Sequence, residues 1–291
     1  MSYQIHDIEL LTGIKAHTIR IWEKRYNLIE PLRTATNIRY YDDNQIRQLL
    51  NVSTLISAGW KISKIAALSE EDVAAEIRAL QLADSVELSQ SSYTAGLTSA
   101  MIAFDEEEFE ALMDEVIVKF GTLDAMIKVV YPFLIKVGML WSTNEVMPAQ
   151  EHFATCIIRR RLITDTAALP APYKTDKKFL LFLPEQEWHE IGLLLSAYLV
   201  RRAGYHHVYL GQSVPFENVH LTQQAIQATH LVSFYLSEKK KINLVQEFEI
   251  LADTLRNVTL IMCGRAEMIQ TIANKQNIVK CDSVLSITSQ F

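Results

Sequence analysis

The sequence predicts a multidomain protein: an N-terminal winged helix-turn-helix, a four-helix bundle, and a C-terminal α/β domain with a doubly wound, Rossmann-like sheet. Three observations predict this class. The 291 residues exceed one small domain. The N-terminal segment of residues 1–66, called the head here, is basic, and the rest of the chain, called the body, is acidic. Helical hydrophobic spacing gives way near residue 176 to short β-type runs that alternate with helices. We expect domains at residues 1–75, 90–167 and 176–291.

Charge separates the head from the rest of the chain. Residues 1–66 hold nine Lys and Arg against six Asp and Glu, although the whole chain has a formal net charge of −6. A basic head on an acidic body can meet a polyanion while the body stays away from it. The function class favoured for the head is therefore nucleic-acid binding.

The head has the pattern of helix, tight turn, basic helix and β-wing. Ile5, Ile8 and Leu11 have helical spacing, and Thr12-Gly13 interrupts them. A second helix follows from Ala16. After Pro31, the run from Arg33 to Tyr41 predicts a short hairpin, and Asp42 or Asp43 can cap the next helix. This order is typical of a winged helix-turn-helix.

Basic and hydroxyl side chains on the second helix and the wing are the candidate DNA contacts. Arg and Lys neutralise phosphates, and hydroxyl groups fix register along the backbone. A solvated helix face is the alternative for such a cluster, but the helix-turn-helix spacing and the wing favour DNA. The residues are His17, Thr18, Arg20, Lys24, Arg25, Arg33, Arg39 and Tyr41.

The middle segment predicts four helices. Its apolar-periodic stretches are separated by breaks at Asp105, Gly121, Asn144 and Pro148. Pro132 falls within the third helix, where we expect a kink. A run of three arginines at 159–161 predicts a surface patch, with a subunit contact as the alternative.

The last segment alternates strands and helices. Strand-like runs at 178–184, 207–211, 230–236, 259–264 and 284–287 are separated by helices near 189–203, 216–228, 243–255 and 266–273. This alternation predicts a parallel sheet that binds ligands at the carboxyl ends of its strands.

The composition and the residue spacing argue against several other classes of protein. The three scattered cysteines argue against a disulfide scaffold and a Cys-x-x-Cys zinc site and favour a reducing cytoplasm. No apolar run reaches the roughly 18 residues of a membrane span, and the N-terminus lacks the features of a secretory signal. Neither a phosphate-binding loop nor a catalytic triad is recognisable, so we expect no enzyme.

One histidine stands where such a sheet would bind a ligand. His189 follows the first strand of the α/β segment, with Glu187 two residues before it and Gly192 three residues after it. A carboxylate at that spacing can fix and polarise the imidazole, and a glycine allows close backbone approach. An exposed loop histidine without a ligand is the alternative.

The head resembles the N-terminal domain of MerR-type regulators. The matching residues are HTIRIWEKRY at 17–26, PLRT at 31–34, and Arg39 with Tyr41. The resemblance covers about 70 residues and implies a dimer that binds pseudo-palindromic, double-stranded promoter DNA.

The α/β segment resembles cobalamin-binding domains. Glu187-x-His189-x-x-Gly192 is similar to their D-x-H-x-x-G signature, with Glu in place of Asp. The resemblance implies that His189 is the lower cobalt ligand. It extends to Leu210-Gly211-x-x-x-Pro215, to Ser233 and to Gly264, which we assign to cofactor binding.

The helical segment resembles the cap of CarH- and LitR-type light-responsive repressors. Trp141, nine further residues and Glu151-His152 are similar to their W-x9-E-H motif. The resemblance implies that Trp141 packs over the cobalamin and that Glu151 and His152 meet a 5′-deoxyadenosyl group. A buried Trp and a capped helix start are the alternative for the same residues.

Three positions depart from these families. Ser142 replaces the histidine that becomes the upper cobalt ligand after photolysis in light-sensing relatives. Cys263 replaces the first glycine of a Gly-Gly pair, where its thiol could crowd the nucleotide tail. Tyr235 stands where smaller or aliphatic residues are usual.

The sequence thus predicts a cytoplasmic transcriptional regulator, a repressor if it follows its relatives. Its homo-oligomeric state, dimer or tetramer, and its promoter binding would respond to adenosylcobalamin or another cobalamin, and to light. One alternative is a regulator that has lost cobalamin and acts without a cofactor or through a protein partner. A second is a corrinoid carrier of a methyltransferase, against which the DNA-binding head argues.

Overall fold

The structure of the protein, a computed structural model, forms two compact units, Met1–Ile157 and Ile158–Phe291. It describes residues 3–34, 36–82, 86–142, 147–236, 244–264 and 269–291. The first unit holds the head and most of the helical segment, and the second holds the α/β sheet.

The head consists of α1 (Ile5–Thr12), α2 (Ala16–Tyr26), the wing strands β1 (Leu32–Arg33) and β2 (Arg39–Tyr40), and α3 (Asp43–Ser57). The wing strands pair antiparallel, which confirms the predicted hairpin. Asp42 caps α3: its side chain accepts from the Gln45 amide at 2.9 Å, and the Gln45 side chain accepts from the Asp42 amide at 3.0 Å.

Helices complete the first unit. They are α4 (Ile62–Ile65), α5 (Glu70–Leu82), α6 (Val86–Ala103), α7 (Glu106–Ala125), α8 (Tyr131–Ser142) and α9 (Pro148–Ala168), which continues into the second unit. Helices α6 to α9 confirm the four predicted for this segment. The helices α5 and α6 pack against α3, so the head and the helical segment share one core.

The irregularities in the helical segment fall before Pro132 rather than at it. Gly121 interrupts α7 with φ 75° and ψ 158°. A π-helical turn, Met126–Val130, then leads into α8. Pro132 is the second residue of α8, directly after this turn and inside one unbroken run of helix, where Tyr131 donates its N–H to the Met126 carbonyl five residues earlier. The structure confirms that the proline lies inside the third helix of the segment, with the π-helical turn directly before it, and the bend expected at Pro132 itself stays a prediction.

The second unit is built on a parallel sheet. Its strands are β3 (Lys174–Pro184), β4 (Tyr205–Val214), β5 (His230–Tyr235), β6 (Thr259–Gly264) and β7 (Ile278–Cys281), in the order β4-β3-β5-β6-β7. Where the connections are described, they contain the helices α10 (Ile191–Arg202), α11 (Phe216–Ile226) and α12 (Leu244–Thr254). The strand order reverses between β3 and β5, and ligands of doubly wound sheets bind at such a switch point.

Each face of the sheet has its own apolar layer. Alternate residues such as Leu181, Val232 and Ile261 pack against α10, and Leu180 and Leu231 pack on the side of α11 and α12. Covering both faces buries the central strands β3, β5 and β6 almost completely toward their carboxyl ends. Polar side chains at those ends are therefore held by a rigid frame.

The end of the chain differs from the prediction. The run VLSI at 284–287 is not a strand but lies in a 3₁₀ helix, Val284–Gln290, which buries Ile287 on the face that carries α10. The last strand is instead β7, which pairs with β6 from Leu260↔Ile278 to Cys263↔Cys281. The helix predicted near 266–273 begins outside the described residues. Where the chain is described, none of its helices has the length and apolar character needed to cross a membrane.

Candidate functional site

A glycine and a carboxylate shape the turn of the helix-turn-helix. Gly13 ends α1 with φ 73°, a left-handed conformation that glycine adopts without steric cost. Glu9 then accepts from the Lys15 ammonium at 2.8 Å and from the Ala16 amide at 3.0 Å. These bonds set the angle at which α2 leaves the turn.

The second helix buries one side and exposes the other. Ile19 is fully buried, which fixes the rotation of α2 on the head. Five of the predicted DNA contacts lie on this helix. Of these, His17, Arg20, Lys24 and Arg25 are exposed, and Thr18 is partly exposed. The sequence pattern therefore leaves its basic side chains accessible to a polyanion.

The wing carries the other three predicted contacts, and the structure separates them. Arg33 is exposed and donates to the Asn37 side chain at 2.8 Å. Arg39 lies 3.5 Å from Glu23. Tyr41 is fully buried, and its hydroxyl donates to Glu23 at 2.5 Å. A direct contact between Tyr41 and DNA is therefore wrong for this arrangement, because its ring fills the core and its hydroxyl holds the carboxylate that faces Arg39.

The motif residues of the helical segment lie on α8 and α9. Trp141 and Ser142 are the last residues of α8, and their side chains lie outside the described part of the chain. Glu151 and His152 are in the first turn of α9, with 3.2 Å between Glu151 Oε2 and His152 Nδ1. The His152 side chain is 73% exposed. Their cofactor roles stay predictions.

Several polar groups lie together after β3, in the segment 185–190 that leads into α10, which is called the corner here. Glu187 is fully buried there and accepts from His189 Nδ1 at 2.5 Å. It also accepts from the amides of Trp188 at 2.9 Å, His189 at 3.0 Å and Leu236 at 2.8 Å. Leu236 directly follows β5, so this carboxylate joins the ends of the two strands that flank the switch point.

Glu187 determines what the imidazole can do. With Nδ1 against a carboxylate, the ring is held in the tautomer that carries its proton on Nδ1 and its lone pair on Nε2. The His189 side chain is 61% exposed, so the ring stands at the surface of the corner. The arrangement suits an imidazole that donates to a metal carried by a ligand.

A second buried carboxylate supports the same loop. Glu190 precedes α10, accepts from Arg159 Nε at 2.5 Å, and accepts from the Tyr209 hydroxyl at 2.9 Å. Burial and the Glu190 charge raise the pKa of Tyr209, which keeps it a hydrogen-bond donor. Arg159 is therefore an ion-pair partner within this unit, not only a member of a solvated surface patch.

At two glycines near this corner, an added side chain would collide with protein atoms. A Cβ on Gly192 would lie 2.8 Å from the Phe234 ring, and one on Gly264 would lie 2.1 Å from the Tyr235 carbonyl oxygen. Gly211 has φ 82° at a register shift between β3 and β4. The structure thus gives Gly192 and Gly264 packing reasons of their own, and their cofactor contacts stay predictions.

Ser233 on β5 and His207 on β4 each have a buried side-chain polar atom without a hydrogen-bond partner among the described residues. Ser233 is 1% exposed, and its atom without a described partner is the hydroxyl oxygen. By strand alternation it shares a face with Leu231 and Tyr235. A buried hydroxyl without a partner is costly, so its presence favours a ligand that supplies one.

The residues that depart from the cobalamin pattern are also buried. Cys263 packs with Cys281 in the apolar layer on the side of α10, and Tyr235 lies on the opposite face. Burial and the charge of Glu187 raise the pKa of Tyr235. Both side chains therefore fill core positions on the two faces of the sheet.

Sequence reasoning missed Glu190, Arg159 and the Leu236 amide. In the sequence, Glu190 looks like an ordinary helix-start residue, although it directly follows the candidate ligand. Arg159 and Glu190 are 31 positions apart, and Leu236 and Glu187 are 49 apart. No local pattern connects residues at such separations.

Comparisons with known proteins agree with this organisation. Residues 3–72 match the MerR HTH family of regulatory proteins, and residues 93–164 match the B12 binding domain. The HTH-type transcriptional repressor CarH of Myxococcus xanthus is 30% identical over 221 residues, which cover 75% of this chain and 73% of CarH.

Two further proteins are similar to this chain. The repressor CarA of Myxococcus xanthus is 28% identical over 74% of this chain and 70% of CarA. Among solved structures, the monomethylamine corrinoid protein of Methanosarcina barkeri aligns at 17% identity with a TM-score of 0.49, over 66% of this chain and 92% of that one. The length and level of the identity to CarH show that this chain belongs to the family of MerR-type transcriptional regulators that carry a B12-binding domain.

Proposed function

We propose that the chain represses transcription by binding promoter DNA as a homo-oligomer, and that adenosylcobalamin, held by His189, controls this binding. The observation that carries the proposal is the hydrogen bonding of the corner after β3. Glu187 is fully buried, accepts three backbone amides, and fixes the exposed imidazole of His189. A lone surface histidine does not need such a support.

The residues present fit a cobalamin. His189 would supply the lower cobalt ligand through Nε2, and Glu187 holds the ring in position through Nδ1. The buried Ser233 hydroxyl would hydrogen bond with the polar tail. When bound, the cofactor would supply a cobalt–carbon bond that light can break. The motif likeness assigns Trp141, Glu151 and His152 to the adenosyl side.

DNA binding would depend on the exposed basic side chains of α2 and on Arg33 and Arg39 of the wing. Removing one phosphate-binding cation should lower the slope of log affinity against log salt by roughly one. We expect this for Arg20→Ala in a gel-shift titration against promoter DNA, with Lys61→Ala, an exposed lysine outside both elements, as the control. Equal slopes in the two variants would contradict the placement of Arg20.

Multivalency gives a physical reason why oligomerisation would control DNA binding. Linked heads bind adjacent half-sites with a gain in effective concentration, so a ligand that changes the number of linked heads changes affinity without touching DNA. Ser142 is a poor cobalt ligand, so we expect no bis-histidine photoproduct through this position. Light would then leave a cobalamin that dissociates more readily.

The experiment is reconstitution of the full chain with adenosylcobalamin in the dark, followed by an absorption spectrum. We expect a base-on spectrum with histidine on cobalt for the wild type, and a base-off spectrum with lower retention for His189→Ala. His206→Ala, an exposed histidine on β4, is the matched control and should resemble the wild type. Identical spectra for all three proteins would refute the ligand assignment.

Failure of the wild type to bind any cobalamin would favour a regulator that has lost the cofactor. Methyl transfer from the loaded protein, without binding to promoter DNA, would favour the corrinoid carrier. Size-exclusion chromatography with and without adenosylcobalamin, in the dark and after illumination, tests the oligomeric part of the proposal separately.

A further inference from the structure

The first unit contains a cavity between the head and the helical segment. Its volume is about 460 Å³. Helices α1 and α3 of the head form one side, and α6, the π-helical turn and α8 form the other. The volume falls within the range of roughly 300–1,000 Å³ that is typical of small-molecule sites.

Among the described residues, the lining of this cavity is polar and carries no carboxylate. Two lysines, six hydroxyl residues and one amide line it together with four apolar residues. The full set is Leu11, Thr12, Leu50, Ser53, Thr54, Ser57, Gln90, Ser91, Thr94, Ala95, Lys128, Pro132 and Lys136. The apolar residues can contact a carbon skeleton, and the cations attract negative charge.

Only part of this lining is available to donate hydrogen bonds. The hydroxyls of Thr12, Ser53, Thr54 and Thr94 already donate to backbone carbonyls. Where the chain is described, the side chains of Ser57, Gln90 and Ser91 make no hydrogen bond, so they can turn toward a ligand. All three are donors that an oxyanion can use.

The two lysines differ in their partners. Lys128 pairs with Asp124 at 2.6 Å, one turn earlier in the helix. Lys136 has no hydrogen bond or ion pair to any described residue, although it lies in the cavity wall. Burial lowers its pKa from 10.5 to about 8. The Lys136 side chain is partly buried, so its ammonium group is partly withdrawn from water without a counter-ion, and an anion in the cavity would offset the resulting cost.

We propose that this cavity binds a small organic anion whose carboxylate or phosphate group is held by Lys136. The cavity is much larger than a single inorganic ion needs, and its apolar residues suit a carbon skeleton. The head supplies α1 and α3, and the helical segment supplies α6 and α8. A bound anion therefore contacts both parts and stabilises their packing, which would couple a metabolite to DNA binding independently of cobalamin.

The test uses the full cofactor-free chain and two defined probes, succinate for the carboxylate and glycerol 3-phosphate for the phosphate. Glycerol is the neutral control, and ionic strength is held constant with sodium chloride. Isothermal titration calorimetry and thermal unfolding should show that at least one anion binds and raises the Tm, whereas glycerol does neither. The anion that binds more tightly shows whether Lys136 holds a carboxylate or a phosphate group.

Two variants show where the probe binds. Lys136→Met should weaken binding by roughly tenfold or more, the usual scale for a charged hydrogen bond. Ala95→Met, which fills the cavity without changing its charge, should also weaken it. Lys61→Met, an exposed lysine elsewhere in the head, should bind as the wild type does. Equal binding by Lys136→Met and Lys61→Met, or no binding of either anion to the wild type, would overturn the proposal.

Discussion

The corner after β3 and the cavity lined by Lys136 differ in whether the fold supplies partners for a charged side chain. In the corner, the fully buried carboxylate of Glu187 accepts three backbone amides and one imidazole nitrogen. In the cavity, the ammonium of Lys136 meets neither an acidic group nor a hydrogen-bond acceptor among the described residues. One charge is satisfied by the fold, and the other is not.

The difference separates two ways of preparing a binding site. A satisfied carboxylate is part of the scaffold: it costs little to keep buried, and its use is to hold the exposed His189 in one orientation. An ammonium without a partner is itself the binding group, because a bound anion offsets the desolvation free energy that the ammonium costs on folding. Removing the first kind of charge should destabilise the fold, and removing the second kind should stabilise it.

The largest expected effect is that of Glu187→Ala. Three backbone amides at the corner would lose their acceptor, which we expect to cost about 3–5 kcal/mol in the free energy of unfolding. Loss of the group that orients a metal-binding histidine should also weaken cobalamin binding by about 10–100-fold. Urea unfolding and titration with adenosylcobalamin in the dark measure the two effects.

The matched control for that change is Glu185→Ala, an exposed acid two residues earlier. It should alter stability by less than about 0.5 kcal/mol. If Glu187→Ala behaved like Glu185→Ala, the corner would not depend on its buried carboxylate, and the contrast with Lys136 would disappear.

The next effect has the opposite sign. Lys136→Met removes a partly buried cation that folding leaves without a partner among the described residues. Since burial lowers the Lys136 pKa from 10.5 to about 8, we expect the partly buried ammonium to destabilise the folded chain by at most about 3 kcal/mol below pH 8. We expect the variant to raise the free energy of unfolding at pH 7 by up to this amount, as measured by urea denaturation.

The same substitution predicts a change in pH dependence. Between pH 8 and 10.5 the unfolded chain binds a proton at Lys136 that the folded chain releases, so stability rises with pH in this interval. Lys136→Met should lack that rise. A difference curve between wild type and variant that stayed flat from pH 7 to 11 would show that Lys136 is not desolvated.

The elements around both regions could largely be predicted from the sequence, because their signals are local. The apolar run before Pro184 marks β3, and the spacing of Glu187 and His189 predicts their contact. Asp42 and Gln45 form the capping pair that begins α3. Each of these inferences depends on residues within a few positions of one another.

The failures involve contacts between distant parts of the chain. The position of Tyr41 beside Arg39 in the wing predicts a DNA contact, but its acceptor, Glu23, lies 18 residues earlier. The run at 284–287 is as apolar as a strand, but Ile278–Cys281 pairs with β6 instead. Short apolar runs do not reveal which of them a sheet edge will accept.

The cavity leaves only a weak signal in the sequence. Lys136 interrupts the apolar run YPFLIKVGMLW of α8, where a lone cation has no acid within a helical turn on either side. Such a residue indicates either a helix face near solvent or a charge that faces a partner. The spacing cannot distinguish the two, because the opposing wall comes from α1, α3 and α6.

A pair of glycines tests how rigid the corner is. A Cβ on Gly264 would lie 2.1 Å from the Tyr235 carbonyl oxygen, and that carbonyl belongs to the peptide unit whose N–H is donated by Leu236 to Glu187. Gly264→Ala should therefore displace the peptide and cost about 2–3 kcal/mol. Gly211→Ala meets nothing closer than 3.5 Å and should cost about 1 kcal/mol for its φ of 82°.

Hydrogen exchange distinguishes local from general effects in that pair. The Leu236 amide should exchange faster in Gly264→Ala than in the wild type, and no faster in Gly211→Ala than its smaller loss of stability requires. Equal acceleration in the two variants would mean that the close approach at Gly264 does not position the donor of Glu187.

The smallest effect concerns Ser233, which lies in the same unit as Glu187 but resembles Lys136 in lacking a partner among the described residues. Replacing a buried, unsatisfied hydroxyl with a methyl group removes a desolvation cost, so Ser233→Ala should leave the free energy of unfolding unchanged or raise it by about 1 kcal/mol without cofactor. If the hydroxyl binds the cofactor, the same change should weaken cobalamin binding by up to about tenfold. A purely structural serine would give the reverse: lower stability and unchanged affinity. Urea unfolding of the cofactor-free chain and equilibrium titration with adenosylcobalamin, both in the dark, therefore decide whether Ser233 belongs to the scaffold, as Glu187 does, or serves a ligand, as we propose for Lys136.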